Sequence, residues 1–200
     1  MDLKVSGDPG QGNKYEENTY EHIDEYYDKV SVYKQERPSR MASYFQRLHN
    51  EIEDKTTRDI MDDLLFYITK LDGTKGMEEK LKNGGFNDAF IKKALRKKEQ
   101  YAKKAMQYDC YPSAQEINLL IFIDIMDLFT IYVEPLIKRC EPVENVMQCI
   151  HEKVVTPIMD KINANGADDR DLRYTPDHIY GMIYYLTGMC HINWKDYDNI

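Results

Sequence analysis

The side chains able to do chemistry in this chain are few and scattered. The five histidines are His22, His49, His151, His178 and His191, and none sits in an HExxH helix or at a Cys–His zinc spacing. Cys149 and His151 are two residues apart and Cys190 adjoins His191. These four could converge on a metal, or supply a thiolate nucleophile with an imidazole to take its proton. No third orienting group is indicated, and scattered residues of this kind are more often core thiols and hydrogen-bonded histidines. Asp124 and Asp127, three residues apart, share a helical face and could form a carboxylate pair, yet no general-acid partner is implied. A buried Asp bonded to a Tyr or Arg is the plainer account. GDPGQG near the start is no phosphate loop, because no GK[ST] follows and no apolar strand precedes it. The residues therefore predict no catalytic constellation, no metal site, no cofactor and no enzyme. The competing prediction is a small hydrolase or nuclease built from Asp124, Cys149, His151 and His191.

A second kind of chemistry is electrostatic. Over residues 88–104, seven basic residues (Lys92, Lys93, Arg96, Lys97, Lys98, Lys103, Lys104) against Asp88 and Glu99 give +5, in a chain of net charge −8. A solvated helix face explains such a run. An electrostatic dock explains it equally, with Lys92, Lys93, Lys97 and Lys104 exposed to a phosphate or an acidic partner. The overall acidity argues against a general nucleic-acid binder but leaves this basic helix able to meet one. Interface aromatics are the third kind: the chain has 16 Tyr and one Trp. Tyr184, Tyr185, His191, Trp194 and Lys195 close the chain, and they read either as partner anchors or as the pin that holds the chain end to the core.

These groups must be positioned by helices. Residues 113–140, SAQEINLLIFIDIMDLFTIYVEPLIKRC, form the most apolar segment, with apolar side chains on almost every side from Ile117 to Ile137. Ser113, with Glu116 three residues on, is placed as a capping box. Asp124 and Asp127 speak against a bilayer, where each would cost about 2.5–3.5 kcal/mol near the centre. The segment is thus predicted to be the central helix of a globular domain, with Leu120, Ile121, Ile125, Leu128 and Tyr132 largely buried and a kink at Pro135. Other helices follow from periodicity and caps. Ser39 opens one bearing Met41, Tyr44, Phe45, Leu48 and Ile52, and Thr57 is placed to cap a second that ends at Asp72-Gly73. A short helix ends at Gly84-Gly85, the basic helix spans 86–109, and a Pro142-led helix bends at Pro157 and stops at Asn165-Gly166. Thr175-Pro176 starts the last.

Residues 1–37 differ in character. They hold nine acids against five bases and read as an acidic, Tyr-rich, flexible polar arm, which also suggests an antitoxin-like binder of a basic partner. The fold prediction is all-α: a single compact domain over 38–200, about seven helices around one buried central helix. Four unpaired cysteines and no secretory signal predict a cytoplasmic protein with reduced thiols, and no membrane span is present.

Three stretches, RKKEQYAKKAMQYDCYPSAQEINLLIF, IYVEPLI and TPDHIYGMIYYLTGMCHINW, together resemble the C-terminal domain of effector proteins in bacterial ABC-three-component systems, which resemble or include Lamassu-type anti-phage defence. The resemblance covers about residues 40–195, and Met189 stands where Asn is common in that family. It implies a helical adaptor that couples an effector to an SMC-like ABC ATPase and a small middle subunit, with no membrane partner. In such systems a nuclease or peptidase often precedes the domain, and a 37-residue arm is too short to be one.

Overall fold

The computed structural model describes residues 39–71 and 75–195. The expectations for the arm over 1–37 and for a helix stop at Asp72-Gly73 lie outside the described residues. Among the described residues the chain forms seven helical rods and no strand: α1 (Arg40–Glu53), α2 (Asp62–Ile68), α3 (Met77–Asn83), α4 (Asp88–Tyr108), α5 (112–138), α6 (143–165) and α7 (Pro176–Gly188). The all-α prediction holds.

Helix starts follow from capping chemistry. The Ser39 side chain accepts from the Ala42 N–H, and Asn87 does the same for Phe90. At α7, Pro176 supplies the first helical position, while the Thr175 N–H donates to His178 Nδ1 at 3.1 Å.

α5 starts differently from expectation. Pro112 takes its first position, so Ser113 lies inside the helix and caps nothing. Ser113 instead donates its N–H and Oγ–H to the Glu51 carboxylate of α1, at 2.8 and 2.6 Å. Likewise α2 starts at Asp62, not near Thr57, because 54–61 is held as irregular chain by Gln115 of α5. Gln115 is fully buried and uses its whole amide. Its Oε1 accepts from Arg58 Nε and the Met61 N–H, and its Nε2 donates to the carbonyls of Asp59 and Asp109.

Both prolines predicted to bend helices act through the same device. A π-helical turn, Phe129–Val133, precedes Pro135, and a second, Ile150–Val155, precedes Pro157. A proline has no N–H for the carbonyl four residues back. The residue before each proline bonds five back instead, Glu134 N–H to Phe129 O and Thr156 N–H to His151 O. The two wide turns pack against each other, and the Cys149 thiol donates to Tyr132 O between them.

The core gathers Ala114, Ile117, Ile121, Phe122 and Ile125 of α5 with side chains from every other helix. Full burial of each such aliphatic or aromatic group is worth about 1.5–3 kcal/mol. α5 is nevertheless not enclosed on all sides. Ile121 and Ile125 are fully buried, Leu120 and Leu128 are half-buried, and Tyr132 is 44% exposed, against expectation. The π turn swings Ile131 and Tyr132 outward.

α4 and α7 are in close contact at Gly181, where a Cβ would lie 2.4 Å from Lys97 O and 2.8 Å from Tyr101 Cβ. No helix among the described residues is long and apolar enough to cross a membrane.

Candidate partner-binding surface

The residues proposed for catalysis are held apart. The Asp124 carboxylate accepts from Lys161 Nζ at 2.6 Å. Asp127 is exposed. Burial of Cys149 raises its thiol pKa, the opposite of an activated nucleophile. His151 is exposed, with Nδ1 3.3 Å from the Tyr180 hydroxyl. His191 packs its ring against Phe66 and Tyr67, with centroids at 5.1 and 5.6 Å, and burial lowers its pKa. Among the described residues no three His, Cys, Asp or Glu side chains gather as metal ligands would.

The role expected of a buried Asp on the central helix falls instead to Asn118. Its Oδ1 accepts the hydroxyls of Tyr174 at 2.7 Å and Tyr101 at 3.4 Å, and its Nδ2 donates to Ala114 O. Both phenols are driven well above their ordinary pKa by burial, so they stay neutral donors.

The basic run on α4 divides in two. Lys97 and Lys104, expected to be exposed, are half-buried. Lys97 pairs with Asp177 at 2.7 Å and lies over the Tyr180 ring at 4.5 Å. Lys104 donates to Leu172 O and lies over Tyr174, and burial lowers its pKa. Both lysines tie α7 and the loop before it onto α4. Lys92, Lys93, Arg96 and Lys103 are exposed, and no carboxylate among the described residues lies within ion-pair distance of them. Lys92, Arg96 and Lys103 fall on one side of the helix, at spacings of four and seven. The sequence missed Arg96 and Lys103 as the exposed members, because what removes Lys97 and Lys104 from the surface is distant in the chain: α7 for Lys97 and the loop before it for Lys104.

The closing segment is also divided. Tyr184 and Trp194 are 3% and 4% exposed. Trp194 Nε1 donates to Thr187 Oγ1 at 3.0 Å, and its ring meets Phe86, Phe129 and Tyr184. A Cβ on Gly84 would come within 2.6 Å of Trp194 Cβ and 2.8 Å of Trp194 O, so the end of α3 closes directly on the Trp194 main chain and Cβ. Tyr185 and His191 are half-buried, and Lys195 is exposed on the rim of a groove of about 410 Å³ shared with Gly85, Phe86 and Lys138.

A family model for C-terminal domain 9 of the ABC-three component systems matches residues 76–194, which takes in α3 to α7. No curated protein and no solved structure matches the chain.

Proposed function

Starting from the fact that the chain belongs to the family of C-terminal domain 9 of the ABC-three component systems, we propose that it is a non-enzymatic helical adaptor acting in the cytoplasm. It couples an effector to the SMC-like ATPase and small middle subunit of an anti-phage defence complex. The observation that carries this reading is the outer face of α4. Lys92, Lys93, Arg96 and Lys103 are exposed without carboxylate partners among the described residues, on a chain of net charge −8. Charges that the fold does not use for itself are available to a partner, and they steer association more than they add affinity. The four cysteines are free thiols, as a reducing compartment keeps them.

The test is co-elution with the ATPase and the middle subunit of the same system. Retention should fall as salt rises from about 0.1 M to 1 M, where the Debye length drops from about 10 Å to about 3 Å. Lys92→Glu with Lys93→Glu should weaken it at low salt. Association indifferent both to salt and to charge reversal would remove the electrostatic dock. Assays for nuclease, peptidase and nucleotide hydrolysis should show no turnover, and turnover lost in both His151→Ala and His191→Ala would replace the adaptor with an enzyme.

A further inference from the structure

α2 and α5 leave a surface of the opposite character. Asp62, Asp63, Phe66 and Tyr67 of α2 and Leu119 and Ile123 of α5 wall a shallow groove of about 430 Å³. Phe66 is 56% exposed and Ile123 37%, on a helix whose other sides form the core. Asp127 and Ile131 continue the row of α5 at spacings of four, and Ile131 is 60% exposed.

The carboxylates of Asp62, Asp63 and Asp127 are exposed, and no cation among the described residues pairs with them. Asp63 and Asp127 both add to the effect of burial in raising the Tyr67 phenol, which places one carboxylate on each wall beside the same ring. The groove is therefore apolar along its floor and negative along both sides.

That combination selects its occupant. Covering Phe66 and Ile123 is favourable in proportion to the apolar area removed from water. A purely apolar partner would strip water from three carboxylates and give nothing back. An acidic partner is repelled, and so is an anionic lipid surface. A helix with apolar residues at i, i+3 or i+4, and i+7, flanked by Lys or Arg, satisfies both requirements.

We propose that the α2–α5 groove docks a basic amphipathic helix of a partner subunit. The place of that subunit in the complex rests on the adaptor reading, but the binding chemistry does not. The basic face of α4 and this groove then take partners of opposite charge and cannot compete for one element. The Asp62, Asp63, Phe66 and Tyr67 wall lies outside the residues matched to the family, whereas Leu119 and Ile123 lie within them.

The experiment uses the full chain and two labelled helical peptides followed by fluorescence anisotropy. One is of leucine and lysine, with leucines at spacings of three and four. The other carries glutamate in place of lysine. The leucine–lysine peptide should bind and the leucine–glutamate peptide should not. Asp62→Asn, Asp63→Asn and Asp127→Asn together should weaken binding about tenfold. Phe66→Glu should do at least as much, with helix content unchanged by circular dichroism. Equal binding of the two peptides, binding of neither, or indifference to both the triple and the Phe66 variants would overturn the proposal. Failure of the wild-type chain to co-elute with the ATPase and middle subunit would instead bring down the adaptor reading, with the groove decided by the peptide result.

Discussion

The closing segment, residues 184–194, and the outer face of α4 carry the two residue types most often found at interfaces, aromatics and cations, and the fold treats them oppositely. Tyr184 and Trp194 go into the core, where the indole N–H is spent on Thr187 and the rings on one another. Lys92, Lys93, Arg96 and Lys103 stay exposed, with no carboxylate among the described residues to pair with them. The difference lies in what each group needs. An aromatic ring is satisfied equally by a core or by a partner, so its presence does not say which it has. A cation left without a carboxylate gains nothing from the fold that carries it, so it is the better pointer to a second molecule. If that contrast is right, truncating the closing aromatics should unfold the protein, and reversing the α4 charges should leave it folded and unbound.

The strongest way to break the comparison is Trp194→Ala. A buried Trp lost to Ala costs about 3–5 kcal/mol, and here Thr187 accepts the indole N–H while Phe86, Phe129 and Tyr184 pack against the ring. A urea titration should show that loss. A change under about 1 kcal/mol, with partner association gone, would return Trp194 to the surface and make it an anchor after all.

Next in size is the α4–α7 seam. Gly181→Ala gains helix propensity of roughly 1 kcal/mol, but the new Cβ meets the Lys97 carbonyl at 2.4 Å. That contact is backbone and can yield only if the helices separate, which strips the Tyr101 packing on both sides. A net destabilisation of about 2–3 kcal/mol, the upper range for overpacked cores, should follow in thermal or urea unfolding. A neutral result would mean that the seam is looser than Gly181 indicates.

How much of this was legible in the sequence divides along the same line. Local capping placed α1 and α7 correctly, because Ser39 accepts the Ala42 N–H and the Thr175 N–H donates to His178, each within three residues, and the residue pattern placed α4. Prolines 135 and 157 disturbed their helices where expected, although the wide turn they produce was not foreseen. What failed was anything decided by a distant partner. Ser113 looks like a cap until Glu51, 62 residues away, takes its hydroxyl. Lys97 and Lys104 look like Lys92 and Lys93 until Asp177 and the Leu172 carbonyl reach them. Nothing in an apolar helix assigns a role to Asn118 or Gln115, yet they satisfy the polar groups that burial would otherwise strand. The Asn118 arrangement is open to test. Asn118→Leu should cost about 1–3 kcal/mol for each tyrosine hydroxyl left unpaired. Adding Tyr101→Phe and Tyr174→Phe should recover much of that loss. Additive losses would show that the hydroxyls find other partners.

A smaller effect should appear with pH. Burial first, with Lys80 near His191 and Lys104 near His178 adding to it, holds both pKa values below the usual 6.5 in the folded chain, against the Phe66 and Tyr67 backbone at His191 and Asp177 at His178. The unfolded chain therefore takes up protons first as pH falls. The contribution of each neutral imidazole is complete above the unfolded pKa and is lost as pH drops through about 6.5 toward the lower folded value. Unfolding midpoints should be flat above neutrality and decline below it, and His191→Gln should shallow that decline. A midpoint that rises on acidification would mean that the closing segment holds a charged imidazole, and that His191 faces a carboxylate outside the described residues.

The smallest expected effect on folding is also the one that sharpens the comparison most. Lys92→Glu, Lys93→Glu, Arg96→Glu and Lys103→Glu in combination touch no ion pair among the described residues. Exposed substitutions away from caps and networks stay within about 0.5 kcal/mol each. Glu is about as good a helix former as Lys or Arg, so α4 should keep its length. Lys97→Glu, one turn from Lys93, is the control. It breaks the pair with Asp177 and places a carboxylate beside it, so it should destabilise the chain although it changes charge by the same amount per residue. Reversal of the four outer residues should abolish low-salt co-elution with the partner subunits at nearly unchanged stability, whereas Lys97→Glu should lower stability first. If both classes of variant lowered stability equally, the α4 charges would be structural, and the unpaired cations would lose their standing as the mark of a partner.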